Sequence, residues 1–306
     1  MHCYARALTK EQTYISIFPE QKHILRGFVD VYRSNLLQMA GRLINATFYD
    51  GHPNLIQLRS VEPIKDGMLR LTHTYQQGQN LQGFYEQSTN INGGIQYQTI
   101  DLMPDDLMKE VSKLCEGVSH LHDREIIHRD ISPNNILLSP HDELILFDYE
   151  TAGVPLVPDL IWEHGIGTIG FASPEQYPDF EIDINTNQSL FINTQQLPGF
   201  CEPRIRPVTS KTSDIFSLGA TITEIFYREI LRRKYPGPFI IDYGFKKNLI
   251  NLFTPHEFFA SDVGRTLIKA QELNSHNRFQ SVAEFEETLR NAVTNQLGKR
   301  FANRFS

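Results

Sequence analysis

The sequence predicts an α+β fold, with a small strand-rich front and a larger, mostly helical back. Three observations predict it. Short apolar runs rich in β-branched residues crowd the first third of the chain; from Pro104 onward apolar side chains recur at helical spacing; and no internal repeat links the two regions.

Taken in order, CYARAL and TYISIF read as two short strands separated by the polar turn TKEQ, all within residues 1–18. Residues 24–45 place Phe28, Val31, Tyr32, Leu36, Met39 and Leu43 at helical spacing, a face suited to packing on a sheet. The run Gly51-His52-Pro53-Asn54 stops that pattern. LIQLRSV at 55–61 and GMLRLTHTY at 67–75 then read as strands joined by a turn at Asp66-Gly67. Residues 76–98, rich in Gln, Asn and Gly, read as a polar segment with one short helix around Leu81–Tyr85.

The back of the chain is helical. Leu107, Val111, Leu114, Val118 and Leu121 mark an amphipathic helix, with Asp105 and Asp106 at its positive N-terminal end. The apolar runs NILL and ELILF bracket a turn at Ser139–Asp142 and predict a hairpin. A second helix covers about 213–231, with Ile215, Leu218, Ile222, Ile225 and Phe226 inward. Arg228, Arg232, Arg233 and Lys234 follow as a solvated basic end that suits the helix dipole. The last helix opens on Ser281 and Glu284 in capping-box spacing and buries Phe285, Leu289 and Val293.

Composition narrows the function classes. A chain of 306 residues with 40% hydrophobic and 21% charged residues has the make-up of a soluble globular protein of two domains or one large one. The formal charge of −7, from 29 Lys plus Arg against 36 Asp plus Glu, disfavours a nucleic-acid binder. Cys3, Cys115 and Cys201 lie far apart and form no disulfide framework, as in a reducing compartment. The opening residues lack the apolar core of a signal peptide, and no apolar run is long enough for a membrane span. A cytoplasmic location is the expectation.

The chemistry concentrates in HRDISPNNILL at 128–138 and LILFDYE at 144–150. Phosphoryl transfer needs one carboxylate to orient the attacking hydroxyl, and oxygen ligands for the magnesium that bridges the phosphates. Asp130 and Asn135, five residues apart on one loop, supply a base and a metal ligand. Asp148 follows an apolar strand 18 residues after Asp130, a separation that fits a loop and a hairpin returning both carboxylates to one end.

In these motifs the chain resembles a protein kinase. HRDISPNNILL resembles the catalytic loop, and DYE at 148–150 stands where the family has Asp-Phe-Gly. GTIGFASPEQ at 167–176 resembles the end of the activation segment, and SDIFSLG at 213–219 the start of the long buried helix of the large lobe. NRFQSVAEF at 277–285 resembles the late arginine motif, so Arg278 is expected to pair with Glu175. DGHPNLIQL at 50–58 resembles the turn and strand after the small-lobe helix.

The resemblance implies one bilobal, kinase-like domain over 1–306, with a small lobe at 1–75 and a helical large lobe at 76–306. A polar insertion at about 178–208 interrupts the large lobe. It implies ATP and Mg as cofactors and a Ser/Thr protein kinase activity on a protein substrate. Asp130 would be the base, Asn135 and Asp148 the magnesium ligands, and Leu137, Thr74 and Tyr75 nucleotide contacts. His128 and Tyr149 would belong to an internal hydrophobic stack, and Thr168 favours a hydroxyl over a phenol as acceptor.

The sequence also departs from the family pattern. It has no Gly-x-Gly-x-x-Gly phosphate cover, Phe18 aligns with the phosphate-binding lysine, and no acidic side chain falls within 31–49 to supply the partner glutamate. Arg42 or Gln38 holds that glutamate's position, and Lys10, Lys22 and Arg42 are the candidate replacement cations. Losing the lysine and the glutamate together is coherent, because either charge alone would be buried without its partner. Ser132 replaces a lysine of the catalytic loop and Glu150 the glycine after Asp-Phe. The alternative reading is therefore a pseudokinase, a scaffold that binds a protein partner, with or without nucleotide, and transfers little or no phosphate. Residues 152–166 contain no Ser, Thr or Tyr, so Asp159 or Glu163, and not a phosphate, is expected to pair with Arg129.

Overall fold

The computed structural model of the chain describes residues 15–17, 39–63, 69–91, 94–97, 100, 104–149, 151–153, 167–168, 170–176, 180–183, 188–191, 209–226, 228 and 260–302. It is an α+β, kinase-like fold in which small antiparallel sheets accompany a helical body. CYARAL, residues 24–38, Phe18, Glu150, Asp159, Glu163 and the cations at 232–234 lie outside the described residues, as do the readings attached to them.

Strands β1 (Ile15–Ile17), β2 (Leu58–Pro63) and β3 (Leu69–His73) form an antiparallel sheet in the order β1-β3-β2. Ile15 pairs with Thr72, and Leu58 with His73. Because strand side chains alternate, Leu71 and His73 are both buried while Arg70 and Thr72, which alternate with them, are only half-buried. Helix α1 (39–44) passes without a break into a π-helical turn, Asn45–Tyr49, so the helix outlasts the expected end at 45. The Thr47 hydroxyl donates to Leu43 O (2.7 Å) and accepts from Leu58 N (3.0 Å), tying the helix end to β2. Gly51 then closes the turn, since a Cβ there would lie 2.6 Å from Thr47 O.

Strand β4 (Gln79–Asn80) leads into α2 (Leu81–Glu86), whose Asn80 cap accepts from Gly83 N at 2.6 Å. The short helix expected at 81–85 is present. A hairpin of β5 (Ser88–Ile91) and β6 (Gly94–Tyr97) follows it, in a stretch whose polar sequence carries no alternation to announce it. Helix α3 (Pro104–His122) buries all five residues assigned to its apolar face. Strands β7 (Ile136–Leu138) and β8 (Leu144–Leu146) pair antiparallel across the expected turn, where Asp142 takes φ 62°. With β4 they form a second sheet.

Within the expected insertion, β9 (Phe180–Asp183) and β10 (Gln188–Phe191) make a further hairpin. Helix α4 (Lys211–Phe226) is buried on nearly every side, where the apolar spacing suggested one inward face. Arg228 is no solvated terminus. Its Nε donates to Glu224 Oε1 at 2.5 Å, and its guanidinium lies 5.5 Å over the Tyr85 ring. Helix α5 (Asp262–Ala270) is capped by Ser261, which accepts from Gly264 N at 3.1 Å. Helix α6 (Val282–Ala302) carries half of the expected box: Glu284 N donates to the Ser281 Oγ cap at 3.1 Å, whereas the Glu284 carboxylate reaches one residue past the cap and accepts from Gln280 N at 3.2 Å. One apolar core runs from Met39 and Leu43 through Leu114 and Leu146 to Phe285 and Leu289. No helix among the described residues is long and apolar enough to cross a membrane.

Candidate active site

The site grows from the loop between α3 and β7. Ile127 exchanges both backbone hydrogen bonds with Gly153, each at 2.8 Å, which anchors the loop start to the chain beyond β8. Arg129 follows in the left-handed region at φ 67°. Successive amides of His128 and Arg129 therefore converge on the Asp214 carboxylate at the start of α4, each donating at 2.8 Å. His122 Nε2 completes the set at 2.9 Å. Burial alone would raise the Asp214 carboxyl. The His122 hydrogen bond, the His122 and His128 rings and the His128 amide outweigh it and hold the group below its ordinary value.

This turn presents Asp130. Thr168 donates to Asp130 Oδ1 twice, from its N–H at 2.7 Å and from its hydroxyl at 2.6 Å. Asn135 Nδ2 donates to Asp130 Oδ2 and to the Asp130 carbonyl, both at 2.8 Å. A carboxylate offers about four lone-pair sites. Among the described residues three donors reach this one, which leaves a lone pair on Oδ2 for a further donor. Ser132 is buried, with its hydroxyl 3.2 Å from that of Thr168.

The hairpin brings the second acid round. Ile136 pairs with Leu146, and Phe147 N donates to Asn135 O at 3.0 Å, so Asp148 emerges beside Asn135. Asp148 is left-handed at φ 66° and half-buried. Asn135 spends its Nδ2 on Asp130, which leaves its amide oxygen as an acceptor, and an amide oxygen and a carboxylate are the kinds of donor that could hold magnesium. Among the described residues, no cluster of three His, Cys, Asp or Glu side chains offers a competing metal site.

The next residue, Tyr149, is buried. Its ring meets His128 edge-on at 5.5 Å and His73 at 5.9 Å, and its hydroxyl donates to Ile56 O at 2.9 Å. The expected stack of His128 and Tyr149 is thus present, with His73 added to it. Burial lowers the His73 imidazole to about 4, and its Nδ1 has no hydrogen-bond partner among the described residues.

The residues assigned to the nucleotide fall on the connection from β3 to β4 and on β7. Leu137 pairs with Asn80 and adjoins Gly78, where a Cβ would lie 2.8 Å from Leu137 Cγ. Thr74 N donates to Gln57 O at 2.8 Å, and the Thr74 hydroxyl accepts from Arg59 at 2.8 Å, so its side chain is turned to the β2 side. Tyr75 is exposed.

Behind Asp130, the expected pair is formed: Arg278 Nη1 donates to Glu175 Oε1 at 2.7 Å and Nη2 to Oε2 at 2.9 Å. Ser213 adds a hydroxyl to Glu175 at 2.7 Å. Burial works to raise Glu175, but the Arg278 charge and these hydrogen bonds hold it below the ordinary value. One residue the sequence reading missed is Gln176. Its Nε2 donates to Arg129 O at 2.6 Å, and its Oε1 accepts from Ser173 N and Oγ, both at 2.9 Å. It stitches the segment after Thr168 to the left-handed turn before Asp130. The only signal available was its place after Ser-Pro-Glu.

The fold and the order of these motifs are those of a protein kinase domain. Comparison with known proteins agrees: the protein kinase domain family matches residues 42–188. The chain is 25% identical over 209 residues to serine/threonine-protein kinase PknD of Chlamydia caviae, covering 62% of this chain and 20% of that protein. It is 24% identical over 127 residues to cyclin-dependent kinase D-1 of Arabidopsis thaliana, covering 40% of this chain and 32% of that one. A stretch of 42 residues, 14% of this chain and 9% of the relative, is 50% identical to probable serine/threonine-protein kinase glkA of Dictyostelium discoideum. The matches thus span a third or less of the length of these relatives. The chain is a member of the protein kinase superfamily.

Proposed function

We propose that this protein transfers the γ-phosphoryl group of Mg–ATP to a Ser or Thr hydroxyl of a protein substrate, with Asp130 orienting the acceptor. One observation carries the reading: Thr168 and Asn135 hold both oxygens of Asp130 and leave one lone pair open on Oδ2. An acceptor hydroxyl donating to that lone pair has its oxygen directed by a carboxylate that cannot rotate. The new bond is from the acceptor oxygen to phosphorus, the bond broken joins phosphorus to the ADP oxygen, and the acceptor proton leaves toward Asp130.

Bound magnesium would supply charge neutralisation at the phosphates. Asn135 and Asp148 are the residues to hold it, and Leu137, Thr74 and Tyr75 are assigned to the nucleotide. The whole of 1–306 is read as one kinase-like unit, divided near residue 75.

A second reading, a pseudokinase that binds a protein partner without transfer, is favoured by Ser132. Next to Thr168 it places a buried neutral hydroxyl where a cation would balance the transferred phosphoryl. One preorganised charge at such a position is worth about 10²–10³ in rate.

One experiment decides between them. The purified chain is incubated with Mg–ATP and a generic protein substrate beside Asp130→Ala and Asp148→Ala. Transfer by the parent chain and its loss in both variants supports the enzyme. Equal phosphate incorporation by all three overturns it, and nucleotide binding without transfer selects the second reading.

A further inference from the structure

Residue 149 carries a hydroxyl that reaches 93 residues back along the chain, where Tyr149 Oη donates to Ile56 O at 2.9 Å in a buried setting. Residues 54–56 already lie along β8. Ile56 N donates to Leu146 O (2.8 Å), Leu146 N to Asn54 O (2.8 Å), and Asn54 Nδ2 to Leu144 O (2.9 Å). These three rungs end at Leu146, two residues short of Asp148. The tyrosine hydroxyl is the rung beyond it.

Asp148 needs holding on both sides. Its φ of 66° lies in the left-handed region, which Asp tolerates better than most residues with a Cβ but still at some cost in free energy. On the near side, Phe147 N is bonded to Asn135 O at 3.0 Å. On the far side, the ring of residue 149 packs against His128 and His73, contacts that a plain phenyl ring would make equally well. What the phenyl ring lacks is direction. The hydroxyl bond to a carbonyl of a zipped segment fixes how deep the ring sits and how it is rotated.

We infer that the Tyr149 hydroxyl is a positioning group: hung on the Ile56 carbonyl, it holds Asp148 in its left-handed conformation beside Asn135. The consequence for metal affinity rests on the reading above, in which Asp148 is a magnesium ligand. Residues 54–56 then set the geometry of that ligand from outside the site.

The test is Tyr149→Phe, which removes one oxygen and keeps the ring. Amide hydrogen exchange is measured over residues 147–153, with 282–293 of α6 as the internal reference. Losing a buried bond and stranding the Ile56 carbonyl is expected to speed exchange about tenfold over 147–153 and to leave α6 unchanged. The magnesium concentration for half-maximal Mg–ATP binding is expected to rise several-fold. Unchanged exchange over 147–153, or an equal change in α6, overturns the inference. If the parent chain binds no Mg–ATP, the functional reading fails while the exchange comparison still decides the positioning role. Should Tyr149→Phe not fold, Asn54→Ala loosens the same strip from its other end. Faster exchange over 147–153 in that variant supports the inference, and its absence overturns it.

Discussion

Arg278 holds Glu175 by two parallel hydrogen bonds, 2.7 and 2.9 Å long, across 103 residues of sequence and with both side chains almost wholly out of water. The remaining donors of Arg278 are spent on the carbonyls of Thr212, Leu273 and Glu272. One guanidinium thereby joins the segment after Thr168, the start of α4 and the turn before α6. Breaking a buried pair by removing one partner strands the other charge. Arg278→Leu is expected to cost about 3–5 kcal/mol of stability in chemical denaturation, and a Glu175→Leu, Arg278→Leu double variant to cost less than the sum of the singles.

Acid is expected to unfold the protein in two stages. Glu175 and Asp214 both have depressed folded-state values despite their burial. Their stabilisation is present above the unfolded-state values of 4.5 and 3.8 and is lost as pH falls through the folded ones. His73 acts earlier. Burial lowers it from 6.5 to about 4, so between those values the unfolded chain takes up a proton that the folded chain refuses. Stability therefore declines from pH 6.5 downward, by up to about 3 kcal/mol from His73, and the carboxylates add to the loss below 4.5. Tm followed from pH 7 to 4 checks this, with His73→Leu expected to flatten the upper part of the curve.

Thr168 divides its contacts with Asp130 between backbone and side chain. Thr168→Ala keeps the amide bond and loses the hydroxyl one. A hydrogen bond to a charged group is worth about 1.5–3 kcal/mol, so phosphotransfer is expected to fall about 10- to 100-fold with nucleotide binding unchanged. Thr168→Ser restores the donor and is expected to restore kcat.

Gly153 has no room for a side chain, because a Cβ would lie 2.0 Å from the Arg129 Cζ. Gly153→Ala must therefore displace either the Arg129 guanidinium or the Ile127–Gly153 bridge. We expect a loss of about 1–3 kcal/mol in thermal unfolding, together with faster exchange of the Ile127 amide.

Much of the site was legible beforehand because its chemistry sits in contiguous motifs. Asp130 and Asn135 share one loop, and the apolar runs on either side of Ser139 imply the hairpin that returns Asp148 to them. The Arg278–Glu175 pair could be named from motif order alone. Gln176 could not, because a glutamine after Ser-Pro-Glu has no periodicity or charge to single it out until Arg129 O is found 2.6 Å away. The hairpin at 88–97 was missed for a related reason, its strands being held by backbone bonds with no apolar alternation to reveal them.

By itself, then, the sequence determined the α+β order, the hairpin between Asn135 and Asp148 and the Ser281 cap of the last helix. All of these are written in short-range spacing, which local backbone geometry converts directly into structure. Only the tertiary structure decided which lone pair of Asp130 stays open, that His73 joins the stack on Tyr149, and that Ile56 holds the residue after Asp148. Those outcomes depend on contacts between residues tens of positions apart. Their geometry is set by how the whole core packs, and no local pattern encodes it.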